Sequence, residues 1–172
     1  MISCYLDTSF LSAFVRKNIH DRYQLQTIIR IHSFWKQGYI KCFVSEAVKR
    51  ELENIPQKYK EQNEALVNLY MLMDKAEMFP TKIAYARWGE VLWGEGQWGA
   101  GVEKPDPVFQ VLANIFSNDD AEHIFLCIKN GIPYFLTYDL HSILNRANQH
   151  SKELNKIGIK ILSPKDFENN LG

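Results

Sequence analysis

Acidic residues at four points along the chain stand where packing alone would not put them. Asp7 closes the apolar run "ISCYL", Asp139 closes "YFLTY", Glu51 lies one or two helical turns after "CFVS", and Asp119 and Asp120 open the run "DDAEHIFLCIKN". In an open parallel sheet ligands bind beyond the carboxyl ends of the strands, so Asp7 and Asp139 share one address. Glu51 points back over the same edge, and an acid from the 119–120 pair sits in the first turn of a helix. Carboxylates gathered from distant chain positions repel and raise one another's pKa values. A divalent cation removes that repulsion, and all-oxygen ligation suits Mg²⁺ or Mn²⁺. Two such ions about 3.5 to 4 Å apart activate a water and stabilise the leaving oxygen in phosphodiester hydrolysis. The chemistry expected of this set is that of a nuclease.

Each residue also has a plainer role to weigh. Asp is a good helix N-cap; with Asp7 taken by the acid cluster, Thr8 or Ser9 is expected to cap the first helix. Asp119 with Glu122 three residues on fits a capping box, which leaves Asp120 free. The hydroxyls of Thr8 or Ser9, and of Thr137 two residues before Asp139, are placed to orient a carboxylate or a metal-bound water. His123 reads as a satisfied histidine of the core or its margin, and His141 as a solvated helix residue. A phosphatase of the haloacid dehalogenase type also starts from an aspartate after a strand, but it needs a second acid two residues on, where this chain has Ser9.

The elements that must position these acids alternate. Strands are expected at "SCYLD", "IKCFVS", "EMFP", "YFLT" and "IKIL". Helices are expected on "SFLSAFVRK", "DRYQLQTIIRIHSFWKQG", "EAVKRELENI" up to Pro56, "YKEQNEALVNLYMLMDKA", "TKIAYARWGEVL", "DPVFQVLANIF" and "DAEHIFLCIKN", then from Leu140 and from Pro164. Gly38, Gly131 and Pro133 serve as punctuation. This order predicts a parallel sheet with right-handed crossovers, covered on both faces. The stripe Leu66, Leu69, Tyr70 and Met73 is expected in the core, with a dimer contact or a dock for a partner peptide as the alternatives. Residues 88–99 carry Trp-Gly at a five-residue step that suits neither a helix nor a strand face; stacking of unpaired bases competes there with simple folding onto the core.

The chain has 172 residues, about one domain's worth, and a single domain is expected over 1–172 with a Trp/Gly-rich insertion at about 80–110. Twenty basic and twenty acidic residues give no formal net charge, so any nucleic-acid contact is local. Arg16, Lys17, Arg22, Lys49 and Arg50 are the candidates for phosphate contacts. The three scattered cysteines fit neither a disulfide framework nor zinc spacing. No apolar window reaches a membrane span and no basic segment precedes the first strand, so a cytoplasmic protein with no membrane partner is expected.

Together "YLDTSFL", "FVSEAVKREL", "DDAEHIFLCIKNGIPYFLTYD" and "IGIKILSPKDF" resemble the PIN-domain family, metal-dependent ribonucleases that include the VapC-type toxins of toxin–antitoxin pairs. The resemblance places the family's acids at Asp7, Glu51 rather than Glu46, Asp120 and Asp139. It implies a three-layer α/β/α sandwich with a mostly parallel central sheet, Mg²⁺ or Mn²⁺ at those acids, and endonucleolytic cleavage of RNA, single-stranded or in a structured loop. An antitoxin protein and a second copy of the chain are the partners it implies. Residues 80–110 are longer and richer in Trp than a minimal member, and position 141 is His where many members carry a further acid. The competing expectation is a module that keeps the fold and binds RNA or protein without turnover.

Overall fold

A computed structural model of the chain describes residues 1–16, 22–54, 60–78 and 106–171. Its centre is a parallel sheet of β1 (Ile2–Leu6), β2 (Ile40–Val44), β3 (Asp74–Lys75), β4 (Tyr134–Leu136) and β5 (Lys160–Leu162), in the order β3-β2-β1-β4-β5. The helices are α1 (Thr8–Arg16), α2 (Arg22–Lys36), α3 (Glu46–Glu53), α4 (Lys60–Leu72), α5 (Pro107–Ile115), α6 (Asn118–Lys129), α7 (Asn145–Gln149), α8 (Ser151–Lys156) and α9 (Pro164–Leu171). They cover both faces of the sheet in a three-layer α/β/α arrangement, as the resemblance implied. Cys4, Tyr5 and Leu6 are buried in succession, as a strand must be when neither face meets water.

The strand order reverses between β1 and β4: from β1 the chain builds outward through β2 to β3, then returns to β4 and builds the other way to β5. That gap is the topological switch point, where an open α/β sheet leaves a crevice at its carboxyl edge. Pairing continues past both strands on this edge, with the Asp7 amide donating to the Leu136 carbonyl at 3.1 Å and the Thr137 amide to the Leu162 carbonyl at 3.2 Å.

Helix α6 is fixed at both ends. Ser117 is its N-cap and accepts the Asp120 amide at 3.2 Å. At the other end the chain closes a Schellman turn, with Ile132 N donating to Cys127 O at 2.8 Å and Gly131 N to Ile128 O at 3.1 Å. Gly131 takes φ +65° there, a conformation that glycine alone enters without penalty.

The structure differs from the sequence expectations in four places. The capping box does not start at Asp119: the helix begins two residues earlier than expected, and Ser117, a better-placed hydroxyl, takes the cap with Asp120 as its box partner. The first helix is capped by neither Thr8 nor Ser9, since Asp7 occupies the cap position and its carbonyl accepts Leu11 N at 3.1 Å. The short strand expected at "EMFP" forms earlier, at Asp74–Lys75, because Lys75 Nζ caps the carbonyls of Tyr70 and Met73 and turns the chain onto β2 at once. The helix from Leu140 is broken into a π-helical turn (Leu140–Leu144), α7 and α8. The stripe of Leu66, Leu69, Tyr70 and Met73 is buried, and all three cysteines are buried and free. Lys17, the stop at Pro56, the helix over 81–92, the Trp-Gly repeat at 88–99 and nearly all of the 80–110 insertion lie outside the described residues. Among the described residues no helix is long and apolar enough to cross a membrane.

Ser117→Ala and Gly131→Ala should each cost about 1 kcal/mol of stability, through the lost cap and the forced positive φ. Urea unfolding of the two variants checks this, and equal midpoints with the parent chain would contradict the anchoring of α6.

Candidate metal centre at the carboxyl edge

Asp7 leaves β1 at the switch point and enters α1. It is 8% exposed, and one of its oxygens, Oδ2, accepts from Ser9 Oγ at 2.6 Å and from Thr137 Oγ1 at 2.8 Å. The two hydroxyls also touch each other at 2.9 Å, so β1 and β4 are laced together by side chains at the point where the crevice opens. Among the described residues Oδ1 of Asp7 carries no hydrogen bond.

Asp139 follows β4 by three residues. Thr137 Oγ1 accepts its amide at 3.0 Å, so one buried threonine serves both acids. The π-helical turn after Asp139 lets the Ser142 amide reach Oδ1 at 2.8 Å while Ser142 Oγ donates to Oδ2. Burial alone would raise the pKa of Asp139; the Ser142 side chain and the amides of Ser142, His141 and Ile143 outweigh it and hold the carboxyl below its ordinary value.

Glu51 approaches from the last turns of α3. Thr8 Oγ1 donates to its Oε2, and His123 Nε2 lies 2.9 Å from its Oε1. The imidazole is buried, and its other nitrogen, Nδ1, meets Tyr5 Oη at 2.8 Å. Tyr5 Oη in turn meets Ser45 Oγ, the N-cap of α3, at 2.6 Å. Burial opposes charge on both members of the Glu51–His123 pair, yet their mutual hydrogen bond and attraction prevail. The carboxyl is held below its ordinary range and the imidazole above its own.

Asp120 lies in the first turn of α6, with Oδ2 accepting from Ser117 Oγ at 2.7 Å. Burial, first, and then the charges of Asp7 and Asp139 push its pKa up, against the Ser117 hydrogen bond and His123. The structure thus brings Asp7, Asp120 and Asp139 close enough to repel, and ties Glu51 to the same edge through Thr8, the neighbour of Asp7. Among the described residues no lysine or arginine pairs with Asp7, Asp120 or Asp139; Arg50, beside Glu51, is spent on Glu122 at 2.7 Å. Glu46 faces elsewhere, to Tyr70 and Lys49, and His141 is exposed.

Ser117 and Ser142 hold the acids without having been singled out for that, although a hydroxyl three residues from each acid is the signal that local sequence offers. Tyr5 and Ser45 gave no such signal, because their partners lie 118 and 40 positions away.

As the side chains stand, no three His, Cys, Asp or Glu residues among the described ones converge tightly enough to enclose an ion. The donor chemistry nonetheless fits Mg²⁺ or Mn²⁺, which keep several waters and take one or two carboxylates directly. An ionised carboxylate has about four acceptor positions, so the hydrogen bonds that orient each acid leave capacity on it, most plainly at Asp7 Oδ1.

The raised pKa of Asp120 makes its ionisation a cost to the fold. The sign follows: stability is greatest below the ordinary value of 3.8 and is lost as pH rises through the higher folded value. Asp120→Asn should therefore melt above the parent chain at neutral pH in chelator, with the gap closing as pH falls through 3.8 and below. A melting point equal to or lower than the parent's at neutral pH would show that the three charges do not strain one another.

Neither a curated protein nor a solved structure matches the chain. A sequence model of the PIN domain matches residues 4–148, a span that runs from β1 to α7 and takes in Asp7, Glu51, Asp120 and Asp139. With that span and this switch-point geometry, the chain belongs to the PIN-domain family, whose fold is of nuclease type.

Proposed function

We propose that the chain is an endoribonuclease dependent on Mg²⁺ or Mn²⁺, in which Asp7, Glu51, Asp120 and Asp139 hold the metal. The observation that carries this reading is the crowding of Asp120 by the charges of Asp7 and Asp139 at the switch point, with no lysine or arginine among the described residues paired with any of the three. A bound divalent ion would supply charge neutralisation and acidify a water for attack on the scissile phosphate.

The chain's own residues prepare that chemistry. Ser9 and Thr137 fix Asp7 by one oxygen and leave the other without a hydrogen bond among the described residues. Ser142 and the backbone of the π-helical turn keep Asp139 ionised. Thr8 and His123 grip Glu51 from both sides, and Ser117 steadies Asp120. Thr8 and Thr137 thus act behind the acids, orienting carboxylates rather than meeting substrate. The RNA belongs over the carboxyl edge, where the acids gather.

The engaged carboxylate oxygens and the absence of a converged trio of ligands among the described residues favour a second reading, a PIN-fold module that binds RNA or protein without cutting. The two separate in one assay. Under the first reading purified protein cleaves RNA with Mn²⁺ and not with chelator, and Asp7→Asn or Asp139→Asn lowers turnover by about 10²-fold or more, since a lost ligand forfeits several kcal/mol of transition-state stabilisation. Asp7→Asn should leave the fold intact. Metal-independent RNA binding with no cleavage under any divalent ion would establish the module instead.

As the toxin of a toxin–antitoxin pair, alone or as a homodimer, the chain would arrest growth when expressed by itself and Asp139→Asn would not. Arrest that survives the Asp139→Asn substitution would rule out the toxin role through this site.

A further inference from the structure

The buried polar chain behind Glu51 is more than the fold requires. It runs from the Ala47 amide to Ser45 Oγ at 3.2 Å, to Tyr5 Oη at 2.6 Å, to His123 Nδ1 at 2.8 Å, and from His123 Nε2 to Glu51 Oε1 at 2.9 Å. Ser45, Tyr5 and His123 are 0%, 0% and 3% exposed, yet the chain ends on a carboxylate whose side chain is 41% exposed. A glutamate with that much access to water needs no buried partner to stay solvated. Burying two hydroxyls and an imidazole is expensive unless every polar atom is matched; apolar groups of the same shape would pack the space without that demand.

The direction of the chain is set by its end. An ionised carboxylate only accepts, so His123 Nε2 donates. In the neutral ring Nδ1 then accepts from Tyr5, and Tyr5 Oη accepts from Ser45, whose oxygen accepts the Ala47 amide. Every donor has one acceptor. The rings are also locked by packing: Tyr5 stacks on Phe135 with centroids 5.6 Å apart and meets His123 edge-on at 5.9 Å.

Each member is coupled by local geometry to an acid of the site. Tyr5 stands in β1 two positions before Asp7, which directly follows the strand. Asp120 and His123 are three apart on α6 and lie one turn above the other. Ser45 caps the helix that carries Glu51. Displacing any of these elements therefore moves the clamp and the acids together.

We propose that His123, aligned by Tyr5 and Ser45, is a positioning residue of the site that clamps Glu51 Oε1 against the Thr8 grip on Oε2 and so presents the Glu51 carboxylate in one orientation for a divalent cation. The proposal rests on the reading of Glu51 as a metal ligand. A free glutamate has three side-chain torsions to order when it binds an ion; here the fold has already ordered them. Partners behind a ligand commonly contribute 10- to 100-fold to metal affinity.

The test measures Mn²⁺ binding alone, without RNA, by calorimetry and by electron paramagnetic resonance, beside thermal melting in chelator. Glu51→Gln should weaken Mn²⁺ binding, His123→Leu should weaken it by about 10- to 100-fold, and the double variant should bind no more weakly than Glu51→Gln, because the clamp has nothing left to hold. His123→Gln, which restores a donor to Oε1, should recover most of the affinity. Tyr5→Phe, which keeps the ring and its stacking, should lose several-fold of it. If Glu51→Gln weakens binding while His123→Leu lowers only the melting point, His123 is a packing residue and the proposal alone falls. If Glu51→Gln leaves Mn²⁺ affinity unchanged, the ligand reading fails and the proposal falls with it. Should His123→Leu not fold, His123→Gln and Tyr5→Phe decide: the affinity losses ranked as above support the clamp, and parental affinity in Tyr5→Phe together with loss in His123→Gln overturns it.

Discussion

A parallel sheet delivers every strand's carboxyl end and every following helix's amino end to one edge, and this constraint governs the rest of the structure. The edge is lined with backbone N–H groups that lack partners within their helices and with the positive ends of helix dipoles. Acids are therefore tolerated there that would be costly elsewhere. Asp7 sits at the N-cap of α1, Asp120 in the first turn of α6, and Asp139 before the π-helical turn, where the amide of Ser142 meets it directly. For Asp7 and Asp139 the capping role and the site role are one arrangement; Asp120 is held instead by the hydroxyl of Ser117, the residue that caps α6.

Tolerance is not neutrality. Asp139 gains enough from its amides to ionise more readily than an ordinary carboxyl, whereas Asp120, with a single serine partner and two charged neighbours, ionises less readily. The asymmetry comes from geometry: the π-helical turn opens several donors to Asp139, while the Ser117 cap offers Asp120 only one side-chain hydroxyl. A site built this way holds negative charge under tension, a property that suits the binding of a cation and does little for packing.

The strands, their order of appearance and the acids at their ends were legible because they follow local rules: apolar runs of strand length, a breaker, then a helical stripe. Pairing of β1 with β4 was not, since Thr137 reaches Asp7 across 130 positions. The early start of α6 was missed because two candidate caps, Ser117 and Asp119, stand two residues apart, and only tertiary packing selects between them. The strand expected at residues 77–80 formed at Asp74–Lys75 for a similar reason: two residues beside the edge of β2 pair through its backbone rather than through any pattern of their own. His123 was read as a satisfied histidine, which it is. What it satisfies, a carboxylate 72 positions away, lies beyond any pattern in one helix.

Glu51 is the exception that shows how the rule works. It lies in the last turns of α3, where the helix dipole disfavours a negative charge, and no cap donates to it. The amides that serve Asp7 and Asp139 are out of its reach, so its charge must be stabilised by side chains from elsewhere. Thr8 and His123 do this, with Arg50 adding attraction, and the result is a carboxyl that ionises more readily than an isolated one despite its partial burial. A histidine is the donor suited to this position because it can donate through one nitrogen and be aligned through the other. An arginine or lysine in the same place would bring a permanent charge into the layer beneath the site and compete with any cation for the acids above it.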